Sequence, residues 1–198
     1  LLEREERVGL TISAQGFQVA AEELGAADLP VELILGRADE RVIFYPRDRF
    51  DSPFATGSQP WRAVVIAPCS MKSMGGIAHS IGGDLLVRAA DVVLKERKKL
   101  VLVVRETPLH LGHLEAMASL TRMGAVIFPP VPAFYHRPKT LDEVINQTVT
   151  RILDQFDIDV KLFHRWDDEG MSRHPDAAKP KPTPISAAKE RKEAKKQR

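Results

Sequence analysis

Residues 84–106, "DLLVRAADVVLKERKKLVLVVRE", join two segments of different period. Across 84–98 apolar residues recur at helical spacing and cover the helix almost all round, so the helix is expected to be well buried. Residues 100–104 are an unbroken Leu/Val run, the pattern of a strand buried on both faces. A helix feeding such a strand is half of a β-α-β unit, and the same alternation continues on either side. Upstream, "RAVVIAP" (62–68) is another doubly buried strand, and "CSMKSMGGIAHSI" enters a helix. Downstream come a helix from about His110 to Met123, the strand "AVIFPP", a prolyl loop "VPAFYHRPKT" and a helix from Leu141 to about Phe156.

Nearer the start, "RVGLTIS" (7–13) and "AQGFQVAAEEL" (14–24) read as strand then helix, while "VELILG" and "RVIFY" read as short strands. The turn-rich loop "PRDRFDSPFATGSQP" is long enough to carry a binding role. Short Val/Ile/Leu strands alternating with helices define an α/β protein: a three-layer, Rossmann-like parallel sheet with helices on both faces. Ligands of such sheets bind beyond the carboxyl ends of the strands.

Composition agrees with a globular fold. The chain has 198 residues, 43% apolar and 28% charged, enough for one domain with a sizeable core. No apolar run reaches the length of a membrane span, so none is expected. The single cysteine, Cys69, excludes an internal disulfide and fits a reducing compartment. The opening "LLEREERVGL" lacks the basic segment and apolar core of an export signal, and a cytoplasmic protein is expected. Net charge is +2, but residues 179–198 hold eight Lys/Arg against two Glu. Residues 167–198 are therefore read as a solvated, disordered basic tail behind a folded domain at 1–166, and no nucleic-acid partner is inferred from them.

The strand ends carry the candidate chemistry. Ser70 and Ser73 flank Lys72 at the start of a helix, where free N–H groups and the helix dipole suit an anion; Ser70 acting only as a helix cap is the alternative. Cys69 is read as a small buried residue rather than a nucleophile. Arg88, Asp91 and Lys95 share one helix face, either as a structural stripe with both cations on Asp91 or as two cations held for a phosphate dianion. Arg105 and Glu106 end a buried strand and must pair with each other, with neighbours or with a ligand. Tyr135, His136 and Arg137 lie on a proline-stiffened loop at the same edge, and Arg151 interrupts an apolar helix. No metal-ligand spacing, P-loop or G-x-S-x-G elbow is present.

The segments "PCSMKSMGGIAHSIGGDLLVRAADVVLKERKKLVLVVRETPLHLGHL" and "GAVIFPPVPAFYHRPKTLDEVINQTVTRILDQF" resemble the UbiX-type flavin prenyltransferases, over residues from about 55 to 166. The resemblance implies a flavodoxin-type fold, assembly as a homododecamer, no metal, and reduced FMN as acceptor of a dimethylallyl group from dimethylallyl monophosphate. The prenylated FMN would serve a UbiD-type decarboxylase. It further implies that Lys95, Arg105, Tyr135 and Arg151 hold the donor phosphate and that Glu106 manages proton transfer. Ser13, Thr56, Ser70, Ser73 and Arg88, with Arg105, would lie on the flavin side, and Trp166 would cover the site from a neighbouring subunit.

The family pattern begins with a strand and a glycine-rich G-A-S-G turn that have no counterpart before "LLEREERVGL", so the chain is expected to be incomplete at its N-terminus relative to the family. Two other functions stay open on these residues: a flavin-dependent decarboxylase of the same superfamily, and a non-catalytic flavin-binding or assembly subunit.

Overall fold

A computed structural model describes residues 7–25, 30–36, 38–160 and 162. They fall into two compact units, one with residues up to 132 together with 148–160, the other with 133–147 and residue 162. The basic tail and Trp166 lie outside the described residues.

In the first unit the order is β1 (Val8–Leu10), α1 (Ala14–Leu24), α2 (Val31–Leu35), β2 (Val42–Phe44), a 3₁₀ turn at Pro53–Ala55, β3 (Ala63–Cys69), α3 (Met71–Ala78), α4 (Leu85–Lys95), β4 (Lys99–Val104), α5 (Leu111–Met123) and β5 (Val126–Phe128). Helix α6, Leu141–Asp154, begins in the second unit and ends in the first. Every described strand pairing is parallel. In the larger sheet, ordered β3-β4-β5, Val65 pairs with Val101 and Leu102 with Ile127.

Strand β4 explains the layering. Leu100, Leu102 and Val104 point to one face, where they pack with Ile66, Met74, Ile77, Ala90, Val93 and Leu120 from β3 and helices α3, α4 and α5. Val101 and Val103 point to the other and meet Phe156 and Ile158, flanked by Ile152 and Leu153 of α6. Leu100, Val101 and Leu102 are all fully buried, so the continuous apolar run is required by a period-2 chain with two covered faces. Each large aliphatic side chain buried there contributes about 1.5–3 kcal/mol.

The sheet departs from the single one expected. Among the described residues the strands form two sheets, β1-β2 and β3-β4-β5. The smaller is tied to α4 through aromatic packing: Phe54 is buried with Leu85 and Ala89, flanked by Tyr45 and Trp61, and a Cβ at Gly9 of β1 would stand 2.7 Å from Phe54 Cε1 and 3.1 Å from Trp61. "VELILG" is also a correction, because Val31–Leu35 is helical, entered from Pro30 and ended by Gly36 at φ 68. Five apolar-rich residues do not separate helix from strand by period, and the flanking Pro and Gly decide it.

Helix α4 is not buried all round. Leu85, Val87, Ala89, Ala90, Val92 and Val93 are buried, whereas Arg88 and Lys95 are exposed. Asp84 starts the helix by accepting the Val87 N–H at 3.0 Å. In the second unit the Thr140 hydroxyl accepts from the Glu143 N–H at 3.2 Å, and the Glu143 carboxylate accepts from the Lys139 N–H at 2.6 Å, which opens α6.

Candidate active site

Three of the five described strands deliver candidate side chains at their carboxyl ends. After β1, Ser13 caps α1 by accepting the Gly16 N–H at 3.1 Å. After β3, Ser70 caps α3, accepting the Ser73 N–H at 3.2 Å with its hydroxyl 3.0 Å from the Ser73 hydroxyl. Both serines are therefore caps, as the alternative reading had it for Ser70. Capping uses an acceptor lone pair and leaves a hydroxyl proton able to donate, so it does not exclude anion binding. Cys69, just before, is 2% exposed, and burial pushes its thiol up to about 12.

After β4 come Arg105 and Glu106, both exposed. Among the described residues no ion pair joins them; the Glu106 carboxylate accepts the Thr107 N–H at 3.2 Å. The internal salt bridge drops out. What remains at this edge among the described residues is an arginine without a carboxylate partner beside a carboxylate fixed by the backbone, which leaves the guanidinium fork open for an oxyanion.

The stripe on α4 is divided differently from either reading. Arg88 Nη1 lies 3.4 Å from Asp91, whose other oxygen accepts from the Ser80 hydroxyl at 3.0 Å, and Arg88 Nε donates to the Ala55 carbonyl at 3.2 Å. Lys95 pairs with Glu96 instead. Thr56, hydrogen-bonded to the Ser58 hydroxyl at 3.0 Å, sits in the same loop, and the following Gly57 lies against Lys95. Arg88, Lys95 and Thr56 thus form one group along α4.

This group is separate from Arg105. Lys95 precedes β4 and Arg105 follows it, and the intervening strand spans about 20 Å. Arg151 on α6 lies 3.4 Å from Asp154. Tyr135, in the second unit, packs its ring edge-on to His136 at 5.5 Å. One chain's first unit therefore brings Ser70, Ser73, Arg105 and Glu106 to strand ends, and places Arg88, Lys95 and Thr56 elsewhere.

Sequence reading missed two features. The Thr11 hydroxyl, two residues before Ser13, is buried with no hydrogen-bond partner among the described residues. A polar residue closing a strand just before a capping serine was the available signal. The other is Glu96, which only its contact with Lys95 singles out. Among the described residues no three His, Cys, Asp or Glu side chains converge as metal ligands, and no helix is long and apolar enough to cross a membrane.

Comparison with known proteins fits this arrangement. Residues 5–154 match the family described as "Flavoprotein". The flavin prenyltransferase UbiX of Halalkalibacterium halodurans is 42% identical over 167 residues, covering 82% of this chain and 81% of that protein. The chain belongs to the UbiX flavin prenyltransferase family. Within it, the Thauera aromatica UbiX is 62% identical over 112 residues, 57% of this chain; the chain spans 58% of that relative's length. Two solved UbiX structures share the fold. One, UbiX (PadA1) in complex with FMN and dimethylallyl pyrophosphate, superposes with a TM-score of 0.74 at 38% identity, covering 84% of this chain and 86% of that one. The other, a dodecameric FMN-dependent UbiX-like decarboxylase from Escherichia coli O157:H7, gives 0.71 at 36% identity over 80% and 83%. The α/β fold expected from the strand pattern, and its flavodoxin type implied by the resemblance, are thus the family's.

Proposed function

We propose that this protein is a flavin prenyltransferase that moves a dimethylallyl group from dimethylallyl monophosphate to reduced FMN. The observation that carries the reading is Arg105 standing, among the described residues, without an ion-pair partner beside Glu106 at the carboxyl end of β4, in a family whose solved member holds FMN with a prenyl phosphate. The residues present suit a flavin. The Thr11 hydroxyl is buried near Ser13 without a partner among the described residues, and Ser70 and Ser73 place two hydroxyls at the N-terminus of α3, where an FMN phosphate or ring oxygen finds donors. Reduced FMN, when bound, supplies the electron-rich ring that accepts the prenyl group.

The protein's own task is to separate charge. Breaking an allylic C–O bond leaves a delocalised cation and a phosphate, so fixed positive charge on the leaving oxygens lowers the barrier. Arg105, Lys95 and Arg151 supply that charge, Tyr135 donates a hydroxyl proton, and Glu106 holds or passes a proton at its carboxylate. Arg88 and Thr56 join the flavin side of the same assembly.

Lys95 and Arg105 lie beyond their combined side-chain reach across one β4, so a phosphate bound by both takes them from different copies of the chain. A homo-oligomer is thereby built into the proposal, and a dodecamer is its expected form. Delivery of prenylated FMN to a UbiD-type decarboxylase, a cytoplasmic location and a division at residue 166 between catalytic domain and basic tail complete it.

Anaerobic incubation with dithionite-reduced FMN and dimethylallyl phosphate tests the reading by mass spectrometry of the flavin. A flavin heavier by one prenyl unit is expected. Bound FMN without that species sinks the proposal, and carbon dioxide released from an aromatic acid without a partner enzyme would replace it with a decarboxylase.

A further inference from the structure

Neighbouring residues of a helix do not face each other, so a contact between Lys95 and Glu96 needs a local cause. Glu96 is the residue at which the chain leaves α4, with φ −83 and ψ 7, and Arg97 then reverses it at φ 55. At this helix end the two long side chains bend together, and the Lys95 ammonium donates to the Glu96 carboxylate. The pair rests on Gly57. A Cβ there would stand 2.7 Å from Glu96 Cδ and 2.8 Å from Lys95 Nζ, closer than side chains approach, so a larger residue must push the pair aside.

The loop beneath is fixed on both sides. Arg88 Nε holds the Ala55 carbonyl at 3.2 Å, and Lys98 Nζ donates to the Gln59 carbonyl at 2.9 Å. The Lys95 hydrogen bond and charge, aided by the charge of Lys98, hold the Glu96 carboxyl below its usual range, which keeps it ionised.

Two effects of Glu96 on Lys95 oppose each other. Its negative charge competes with a phosphate, and its hydrogen bond removes the rotamer freedom of a long stem. Both side chains are partly exposed, so solvent and salt screen the charge competition. Gly57 lies against both groups and limits the rotamers open to the lysine stem, an ordering by contact that salt does not screen.

We propose that Glu96 is a positioning residue: seated on Gly57, it holds the Lys95 ammonium where it meets the prenyl-donor phosphate. The proposal rests on the prenyltransferase reading above and adds to it a residue that touches neither donor nor flavin.

Steady-state prenyl transfer on the full chain, with dimethylallyl phosphate and reduced FMN varied in turn, separates the outcomes. Glu96→Gln and Gly57→Ala are each expected to lower kcat/KM for the donor about tenfold, with KM for FMN within about twofold, and Glu96→Asp to recover much of the loss. An unchanged donor kcat/KM in Glu96→Gln overturns the proposal. So does a parallel loss in kcat and both KM values with a lower melting temperature, which marks a merely structural role. Amine-specific labelling read by mass spectrometry tests the pair without catalysis. The rate at Lys95 relative to exposed Lys72 should rise several-fold in Glu96→Gln, and an unchanged ratio overturns the pairing. A wild-type protein that makes no heavier flavin ends the functional reading, and the labelling ratio then decides the pairing alone.

Discussion

Lys95 and Arg105 flank β4 at its two ends, the first leading into the strand's amino-terminal edge and the second leaving its carboxyl edge. A six-residue parallel strand between them keeps the two cations about 20 Å apart at the backbone. Under the proposed function, a phosphate held by both would be shared between copies of the chain.

Complementation between inactive variants follows from that separation. Lys95→Ala and Arg105→Ala should each lower prenyl transfer at least 100-fold alone, by order of magnitude for a lost charged contact in the transition state. Mixed at equal amounts under conditions that exchange subunits, they should regain about a quarter of wild-type activity, because that fraction of two-copy sites draws both intact residues. Absence of recovery in verified mixed oligomers would place both residues in one copy's site.

Cys69 offers a pH prediction with a definite sign. Burial raises its pKa from 9.0 to about 12, so the folded state keeps the proton where an unfolded chain has lost it. The stabilisation is fully present below about pH 9 and declines as pH rises toward 12, by up to about 4 kcal/mol. Denaturant titrations across that window should show the decline flattened in Cys69→Ala. At pH 8 the native thiol should resist alkylating reagents and react only after unfolding, as followed by thiol-specific absorbance.

The parts legible in the sequence were those carried by period. The Leu/Val alternation of β4 specified two covered faces, the strand-end rule located Ser70, Arg105 and Glu106, and the family resemblance added Ser13. The pairing of charges on α4 was not legible. Arg88, Asp91 and Lys95 share a face by spacing, yet Lys95 pairs with its neighbour Glu96 at the end of the helix, a contact of two long side chains that spacing does not encode. The approach of Gly57 to that pair is likewise a contact between segments far apart in sequence. The split of the strands into two sheets depends on which edges meet, and apolar runs specify burial without specifying neighbours.

Gly9 is predicted to be intolerant of any side chain. It lies in β1 under the rings of Phe54 and Trp61, and an added Cβ falls within 2.7 Å of Phe54 Cε1. Gly9→Ala should cost about 1–3 kcal/mol, the range for overpacking. The cost should shrink in a Phe54→Leu background, where the ring edge is gone. Urea unfolding of the four proteins in a double-mutant cycle measures the coupling, and additive losses would show that the contact is not the cause.

Ser70 caps a helix, and the proposed flavin contact would share the same hydroxyl. As the cap of α3 it accepts the Ser73 N–H, and Ser70→Ala should cost about 1 kcal/mol of stability. As a flavin contact it must also donate its proton, which the cap does not consume. Asparagine caps a helix about as well as serine but presents a larger amide in place of the hydroxyl. Ser70→Asn should therefore restore the melting temperature lost in Ser70→Ala while leaving FMN binding about tenfold weaker than wild type, the equivalent of one lost hydrogen bond. Calorimetric unfolding and a flavin fluorescence titration read the two quantities separately. If FMN affinity recovers along with stability in Ser70→Asn, the hydroxyl acts only through the helix it starts.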